Sequence, residues 1–143
     1  MKLNPLFAAV HFFFSVIKGE VSIQRNTPNN NAYPEGFQPF LHVKVEYPHA
    51  ENPVRLLVKF KVGKLNLWHR SLMPLLGIPF FAGVPGFMEK VFLLNEGEKA
   101  FSGFYTWRSF QDAERYTKSY PGKVMALNAL PDTLTMEIFP LNE

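Results

Sequence analysis

The feature that most constrains the fold of this chain is the order of its hydrophobic periods from residue 54 onwards. Apolar and polar residues alternate as in half-buried strands over 54–62, 87–94, 101–107 and 134–139. A segment with helical spacing at 65–76 lies between the first and second of these strands. Another, at 109–120, lies between the third and fourth. The order β-α-β-β-α-β is that of a ferredoxin-like unit. We therefore predict an α+β fold with a four-stranded antiparallel sheet and both helices on one face.

Proline, glycine and capping residues predict where the helices begin and end. We expect the first helix to close around Gly77 and Pro79, since neither residue favours the interior of a helix. Ser109 is predicted as the N-cap of the second helix, with Asp112 at position N3 as its capping partner. A further short helical piece is expected at 123–130.

Residues 1–53 form an N-terminal part that precedes the ferredoxin-like domain at 54–143. This part contains an apolar helix, a linker rich in asparagine and proline over 24–40, and an extra strand over 41–47. The alternation of the extra strand predicts that His42 faces water.

The N-terminal helix, over residues 3–17, is apolar almost all round. On a helical wheel its polar and small residues share one narrow stripe, which we predict to face water. The stripe consists of Asn4, Ala8, His11, Ser15 and Lys18. Three interpretations of the apolar remainder stay open: packing on its own domain or a partner subunit, contact with a membrane through residues 3–18, and a targeting remnant.

The flanks of this helix bear on where the protein resides. A span of the bilayer takes about 20 apolar residues, so the helix is too short to cross it. No small-residue cleavage site follows Ile17, and the sequence contains no N-glycosylation acceptor. We therefore expect a cytoplasmic protein, with peripheral membrane association through the N-terminal helix as an open alternative.

Composition excludes several classes of function. The 143 residues include no cysteine, which rules out disulfides, thiol nucleophiles and cysteine-ligated metals. Zinc-protease, nucleophile-elbow and P-loop motifs are also missing, so no metal, hydrolase or nucleotide site is predicted. The net charge of +3 is too small for a nucleic-acid footprint, and we expect no nucleic-acid partner. One acid-free run of cations forms either a solvated face or the rim of an anion-attracting pocket, and it consists of Arg55, Lys59, Lys61, Lys64 and Arg70.

A sheet with both helices on one side has an uncovered opposite face. The apolar side chains that we expect on this face are Leu57, Phe92, Phe104 and Phe139. A second copy of the chain is the simplest cover, so we predict a homodimer. The topology also places the strand of Glu137 beside the strand that carries Lys59.

The second part of the chain resembles a known family in its turns and aromatic positions. The segments VPGFMEKVFLL and FSGFYTWRSFQDAERY flank an acidic turn. The positions that carry the resemblance are Pro85, Gly86, Phe87, Lys90, Phe92, Gly103, Tyr105, Trp107, Ala113 and Tyr116. This pattern resembles the monooxygenase-like proteins of the dimeric α+β barrel superfamily, which are relatives of the antibiotic-biosynthesis monooxygenases. The resemblance covers roughly residues 54–140.

The resemblance implies a cavity between the sheet and its helices that takes a flat organic molecule. Some members of the superfamily oxidise such molecules with O2 without metal or flavin, so we expect no cofactor. Haem-degrading proteins of this fold use a histidine on the second helix as the iron ligand. The segment 109–120 contains no histidine, which disfavours haem.

His69 is the predicted catalytic residue, because an imidazole can remove a phenolic proton at neutral pH. Arg70 or Lys59 would stabilise the resulting oxyanion. The predicted ligand-binding residues are Trp68, Arg70, Lys59, Phe60, Phe92, Tyr105, Trp107 and Tyr116. Each also has a structural interpretation, as a core aromatic or a helix-surface side chain.

Three functions of different classes therefore remain open at this point. The first is a cofactor-free monooxygenase, or a related enzyme, acting on a small aromatic or hydrophobic molecule. The second is a dimeric module that binds such a molecule without turnover, and the third is a structural or membrane-associated protein. An enzyme needs a cavity with converging polar groups, a binding module needs the cavity alone, and a structural protein needs neither.

Overall fold

The computed structural model of the chain describes residues 5–19, 21–24, 32–46, 50–65, 73–119 and 129–141. These ranges contain three helices and six strands. In chain order the elements are α1 Pro5–Ile17, β1 Val21–Gln24, β2 Gln38–Val45, β3 Val54–Lys61, α2 Met73–Ala82, β4 Phe87–Asn95, β5 Ala100–Trp107, α3 Phe110–Thr117 and β6 Thr135–Pro140. The predicted α+β class is confirmed.

The described strands form one open antiparallel sheet in the order β1-β2-β4-β5-β3-β6. As predicted, β6 with Glu137 pairs with β3, which carries Lys59. The sheet has six strands instead of the predicted four, because β2 pairs with β4 and β1 pairs with β2. The four residues of β1 are too few to show a period, so the sequence did not predict this strand. The domain boundary between residues 53 and 54 stays a prediction.

One side of the sheet carries the larger hydrophobic core and all three helices. Alternate residues of the strands point to this side, among them Leu56, Val58, Phe92 and Tyr105. The helices contribute Ala8 and Phe12 from α1, Ile78 and Phe81 from α2, and Ala113 and Tyr116 from α3. All eight residues of β5 are buried, so this strand is the centre of the molecule.

The opposite side of the sheet is covered at its centre, where the sequence predicted a bare face. Phe37 and Tyr33, from the segment before β2, pack there on Val91 and Phe104. The Tyr33 and Phe104 rings meet edge to face, with their centroids 5.2 Å apart. As a result, Val91 and Phe104 are each only 1% exposed in a single chain.

The set of residues predicted for this side is only partly correct. Leu57, Phe104 and Phe139 do lie in the cluster on this side. The prediction was wrong for Phe92, whose ring lies on the helix side of the sheet. Its neighbour in sequence, Val91, lies on the opposite side, because successive residues of a strand point to opposite faces. What a second copy could still cover is the margin around Leu57 and Phe139, which are half-buried.

Helix α2 continues through the two residues that were predicted to end it. Gly77 and Pro79 both lie inside the helix. Ile78, Phe81 and Ala82 bury one face of it in the core, with at most 5% exposure each. The burial of this face outweighs the local cost of proline, which is about 3 kcal/mol in a helix interior. Most of the helix predicted at 65–76, and the piece predicted at 123–130, lie outside the described residues.

Helix α1 packs on the domain through Phe12 and through Ala8, a member of the stripe that was predicted to face water. Ala8 is 2% exposed, and His11 Nδ1 donates a hydrogen bond to the Gly83 carbonyl oxygen at 3.0 Å. A Cβ atom at Gly83 would lie 1.7 Å from the Ala8 carbonyl oxygen, so the two backbones touch directly. The prediction was wrong for Ala8, which this glycine admits to the domain, whereas His11 and Lys18 are exposed as predicted.

The outward face of α1 is therefore apolar and exposed. It consists of Leu6, Phe7, Val10, Phe13 and Val16, which are 45% to 70% exposed. Phe80 and Leu75 of the neighbouring α2 are exposed by 40% and 42%. Among the described residues, no helix combines the length and the apolar character that a bilayer span requires.

Helix α3 begins as the sequence predicted, with Ser109 as its N-cap. The Ser109 hydroxyl accepts a hydrogen bond from the Asp112 backbone N–H, and its own O–H donates to the Asp112 carboxylate at 2.8 Å. Arg108 donates to both carboxylate oxygens, at 2.8 and 3.0 Å, and Arg115 donates at 2.7 Å. The carboxylate is 2% exposed and is fully used by these partners.

The same carboxylate fixes the turn that leads into β4. Gly86 has a φ of +89°, and a Cβ atom there would lie 2.5 Å from Asp112 Cγ. The Gly86 carbonyl oxygen accepts a hydrogen bond of 2.8 Å from the Arg108 backbone N–H. The Pro-Gly turn, the end of β5 and the start of α3 are thus held at one point.

We expect Asp112→Ala to lower the free energy of unfolding by about 2 kcal/mol, measured by urea denaturation. The substitution removes the partner of two guanidinium groups and one hydroxyl. The loss is smaller than the about 3–5 kcal/mol of a fully buried pair, because Arg108 and Arg115 are 42% and 35% exposed. The matched control is Glu114→Ala on the same helix, whose exposed pair with Lys118 is worth about 0.5 kcal/mol. Equal losses in the two variants would contradict the role given to Asp112.

Candidate functional site

A buried lysine lies at the centre of the helix side of the sheet. Lys90 is on β4, directly opposite Tyr105 of β5, and its side chain points into the larger core. It is 8% exposed, against 0% for Tyr105 and Trp107. Lysine is among the residues least often buried without a partner, so this position requires an explanation.

Three aromatic rings surround the Lys90 amine. The distances from Nζ to the ring centroids are 4.0 Å for Phe92, 4.4 Å for Phe81 and 4.6 Å for Tyr105. Within the described ranges, Lys90 has no ion pair and no hydrogen bond. We call Lys90 together with Phe81, Phe92 and Tyr105 the lysine cage.

The carboxylate next to Lys90 in sequence is turned away from it. Glu89 points to the opposite side of the sheet, where one of its oxygens lies 3.3 Å from His42 Nε2. Tyr33 lies near the same group, and burial followed by the Glu89 charge raises the pKa of its phenol. The sheet thus separates Glu89 from the amine that it would otherwise neutralise.

Burial without a counter-charge changes the protonation of the cage lysine. Loss of solvation lowers the pKa of Lys90 from its ordinary value to about 7. Attraction between the ammonium and the ring faces opposes this effect, but it is the weaker of the two. At neutral pH a large fraction of Lys90 is therefore a free amine, which can accept a proton or attack an electrophile.

The path of the lysine side chain depends on Gly103. This residue lies opposite Phe92 in the β4–β5 pair. A Cβ atom at Gly103 would lie 2.9 Å from Lys90 Cε and 2.7 Å from Tyr105 Cε1. The missing side chain therefore makes room for the lysine stem and for the tyrosine ring at once.

The tyrosine of the cage continues into a second group of aromatic residues. Its hydroxyl lies 3.0 Å from the Tyr116 hydroxyl of α3, in a buried hydrogen bond. The Trp107 ring stacks with Tyr105 at 6.1 Å and lies 4.8 Å from Tyr116. Burial, and secondarily the neighbouring Tyr116, raises the pKa of Tyr105 well above its ordinary value. Its phenol thus stays protonated, and its hydroxyl is engaged with that of Tyr116.

The structure brings half of the predicted ligand-binding residues together. Phe92, Tyr105, Trp107 and Tyr116 lie in or beside the lysine cage. Phe60 belongs to the same core and contacts Phe101, with ring centroids 6.0 Å apart.

The other predicted site residues are not part of this group. Lys59 is next to Phe60 on β3, and strand alternation turns it to the opposite side of the sheet. Trp68, Arg70 and the predicted catalytic His69 lie outside the described residues, so their roles stay predictions.

Two members of the lysine cage were missed as site residues, Lys90 itself and Phe81. The sequence does contain a signal for the first. In β4, Lys90 shares its alternation with Phe92 and Leu94, so a charged residue occupies a position that the strand pattern assigns to the core. Phe81 had no comparable signal, since its contact with β4 depends on how α2 is placed.

A surface groove of about 440 Å³ lies elsewhere, between the start of β2 and the β4–β5 turn. Its lining is Gly36, Gln38, Pro39, Phe40, Leu94, Asn95, Glu96 and Gly97, and it includes no member of the lysine cage. In the described parts of the chain, no three His, Asp or Glu side chains converge as metal ligands. The lysine cage is therefore the candidate site that the described residues favour.

We expect a specific pH dependence of stability from Lys90. Its pKa is lower in the folded chain than in the unfolded chain, so the unfolded chain binds more protons between about pH 7 and 10. The stabilising effect of the neutral amine is thus absent below pH 7 and grows as the pH rises. The free energy of unfolding of wild type should rise by about 2 kcal/mol relative to Lys90→Met between pH 7 and 9.

Urea denaturation at pH 6, 7, 8 and 9 measures this difference. Lys44→Met is the matched control, since Lys44 is an exposed lysine on the neighbouring β2 strand. Its difference from wild type should stay flat over the same range. Parallel curves for wild type and Lys90→Met would show that the Lys90 pKa is not lowered.

Comparison with known proteins adds nothing to this geometry. No protein-family model, no curated protein and no solved structure matches the chain. The resemblance to the dimeric α+β barrel monooxygenases therefore stays a prediction from the sequence pattern. Any function has to be argued from the site itself.

Proposed function

We propose that this chain is a cofactor-free monooxygenase, or a closely related enzyme, that acts on a small aromatic molecule beside the lysine cage. The single observation that carries the proposal is the Lys90 amine, which is buried among three rings and has a pKa of about 7. A general base is most effective when its pKa lies near the working pH. This is the role that the sequence assigned to His69.

The proposed reaction needs a proton acceptor, an apolar surface and O2. For a naphthol, the neutral Lys90 amine takes the phenolic proton and leaves an electron-rich naphtholate. The substrate then supplies all the electrons: one oxygen atom of O2 replaces a ring hydrogen as a carbonyl oxygen, and the other leaves as water. The products are a quinone and water, and the balance needs no added reductant.

The residues around Lys90 suit such a substrate chemically, and the packed rings have to move apart to admit it. The rings of Phe81, Phe92 and Tyr105 offer faces for stacking, and aromatic pairs are favoured at centroid distances of about 4.5–7 Å. The protonated Tyr105 phenol becomes a hydrogen-bond donor to a developing oxyanion only by giving up its bond with the Tyr116 hydroxyl, 3.0 Å away. A low-dielectric environment strengthens both effects.

The finer details of the fold belong to the same proposal. The order β4-β5-β3-β6 is the one expected for a ferredoxin-like unit, with β2 and β1 added at the β4 edge. A homodimer through the side opposite the helices also stays a prediction. It would bury the margin around Leu57 and Phe139, since Phe37 and Tyr33 already occupy the centre.

Oxygen uptake tests the enzyme proposal. Wild type should consume O2 with at least one member of a panel of naphthols and quinols at pH 8. Lys90→Met should lower the rate by at least about a hundredfold, the usual contribution of a general base. Lys44→Met, which alters an exposed lysine of β2, should leave the rate unchanged.

Two further results would contradict parts of the proposal. Loss of uptake in His69→Ala with a normal rate in Lys90→Met would assign the base to His69. No uptake by wild type with any member of the panel would contradict the oxygenase, and native mass spectrometry of the purified protein would then identify a bound small molecule, as expected of a non-catalytic binding module.

A second candidate function is favoured by a separate observation, the exposed apolar face of α1. Leu6, Phe7, Val10 and Phe13 are 45% to 70% exposed on one side of a helix that has no acidic residue. Such a face suits the interface of a membrane, where a helix lies in the plane of the lipid headgroups. We propose peripheral membrane contact through residues 3–18.

Sedimentation with anionic phosphatidylglycerol vesicles tests this contact. Wild type should sediment with the vesicles, and Phe13→Asp should weaken the binding by about tenfold, because one buried aromatic side chain is worth about 1.5–3 kcal/mol. The control is Phe110→Asp, which changes an exposed phenylalanine of α3 (49% exposed). Equal loss in both variants, or no sedimentation of wild type, would contradict the proposal.

A further inference from the structure

From its position in the lysine cage, we propose that the Lys90 amine is a covalent binding site for small apolar aldehydes, which it captures as an imine. This activity goes beyond the proposed oxygenase and does not depend on it. It depends only on the placement of Lys90: a core-facing amine with no carboxylate partner among the described residues and three rings around it.

The bond changes balance without any oxidant or reductant. The nitrogen lone pair attacks the carbonyl carbon, a C–N bond forms, and the C=O π pair moves to oxygen. A proton passes from nitrogen to that oxygen and gives a carbinolamine. The nitrogen then loses its remaining proton as the C–O bond breaks, so one amine and one aldehyde yield one imine and one water.

The surroundings of the amine favour each of these steps. Nucleophilic lysines are neutral and desolvated, and burial makes Lys90 both. Loss of water is favoured where water is scarce, and the Phe92 and Phe81 rings lie 4.0 and 4.4 Å from Nζ. Lys90 is 8% exposed as a whole residue, so an aldehyde reaches the amine only when the cage rings move aside.

The chemical class of the aldehyde follows from the cage. A flat or aliphatic group on the carbonyl carbon would lie against aromatic carbon. A carboxylate on the same carbon would enter a site where the described residues supply no cation other than the lysine that is being consumed. We therefore assign apolar aldehydes, with benzaldehyde as the probe, and exclude charged ones such as glyoxylate.

Few other titratable groups face this amine. On β5 and α3 these are the phenols of Tyr105 and Tyr116, which bond to each other. Asp112 of α3 is held by Arg108 and Arg115. Helix α2 has no titratable residue over Met73–Ala82.

The remaining elements near the cage add no further charge to it from the described residues. On β2, His42 lies on the opposite side of the sheet with Glu89, its partner from β4. His11 of α1 donates to the Gly83 carbonyl oxygen. The protonation of Lys90 thus follows its own burial, and the pH dependence of capture should be that of a single group.

Reductive trapping tests the proposal on the full wild-type chain. The protein is treated with benzaldehyde and cyanoborohydride at pH 7, digested, and analysed by mass spectrometry for benzylated lysines. A lysine of pKa about 7 has on the order of a thousandfold more neutral amine at pH 7 than one of ordinary pKa. We expect Lys90 to be labelled at least about tenfold more than the exposed Lys44 and Lys118, after allowance for its restricted access.

The same measurement carries its own controls. Unfolding in guanidinium should abolish the preference, which confirms that the fold creates it without requiring any variant to fold. Lys90→Arg should lose the labelled peptide and leave the labelling of Lys44 unchanged. Glyoxylate in place of benzaldehyde should show no preference for Lys90.

Three outcomes would overturn the inference. Labelling of Lys90 no greater than that of Lys44 would show that the amine is inert. A preference that persists after unfolding would show that the local sequence is its cause, and an equal preference for glyoxylate would refute the apolar class. Absence of oxygen uptake would leave the trapping result untouched, so the two proposals fail separately.

Discussion

The properties of this site depend on one unfavourable effect, the desolvation of the Lys90 amine. The amine is buried, and no carboxylate among the described residues forms an ion pair with it. A change in pKa from the ordinary lysine value to about 7 corresponds to about 5 kcal/mol against the charged form. Contact with ring faces returns about 2 kcal/mol for a desolvated cation. The difference favours the neutral amine, so the aromatic surroundings produce a base and nucleophile where a salt bridge would have produced an inert cation.

Two glycines allow the backbone and side chains to approach as closely as this arrangement requires. Gly103 leaves the space through which the lysine stem passes beside Tyr105. Gly83 lets the backbone of α1 touch the end of α2 at Ala8. The first shapes the cage and the second decides which face of α1 remains outside, so the two candidate functional surfaces each depend on a missing Cβ atom.

The sequence predicted what local patterns and short connections determine. Alternation predicted five of the six described strands, and the short connections predicted how four of them are ordered in the sheet. The Ser109 cap with Asp112 at N3 was also predicted correctly. Contacts between distant segments could not be predicted from the sequence. The packing of Tyr33 on Phe104 and the burial of Ala8 are examples, because neither depends on the local pattern of apolar residues. Four aromatic positions of the site were predicted: Tyr105 and Trp107 as one face of a strand, and Phe92 and Tyr116 from the family resemblance, with Phe92 expected on the other face of the sheet. Lys90 was missed because it was interpreted only as one position of the family resemblance. Its charge at a core position of β4 was not considered.

The two margins of the sheet also have a consequence for the behaviour of the protein at high concentration. An unpaired strand is a template for association with another chain, and natural proteins shorten such strands or end them with residues that cannot pair. Here one outer strand, β1, has only four residues, and the other, β6, ends at Pro140, which has no backbone N–H to donate. Growth of fibrils by lateral addition of strands is therefore discouraged at both margins.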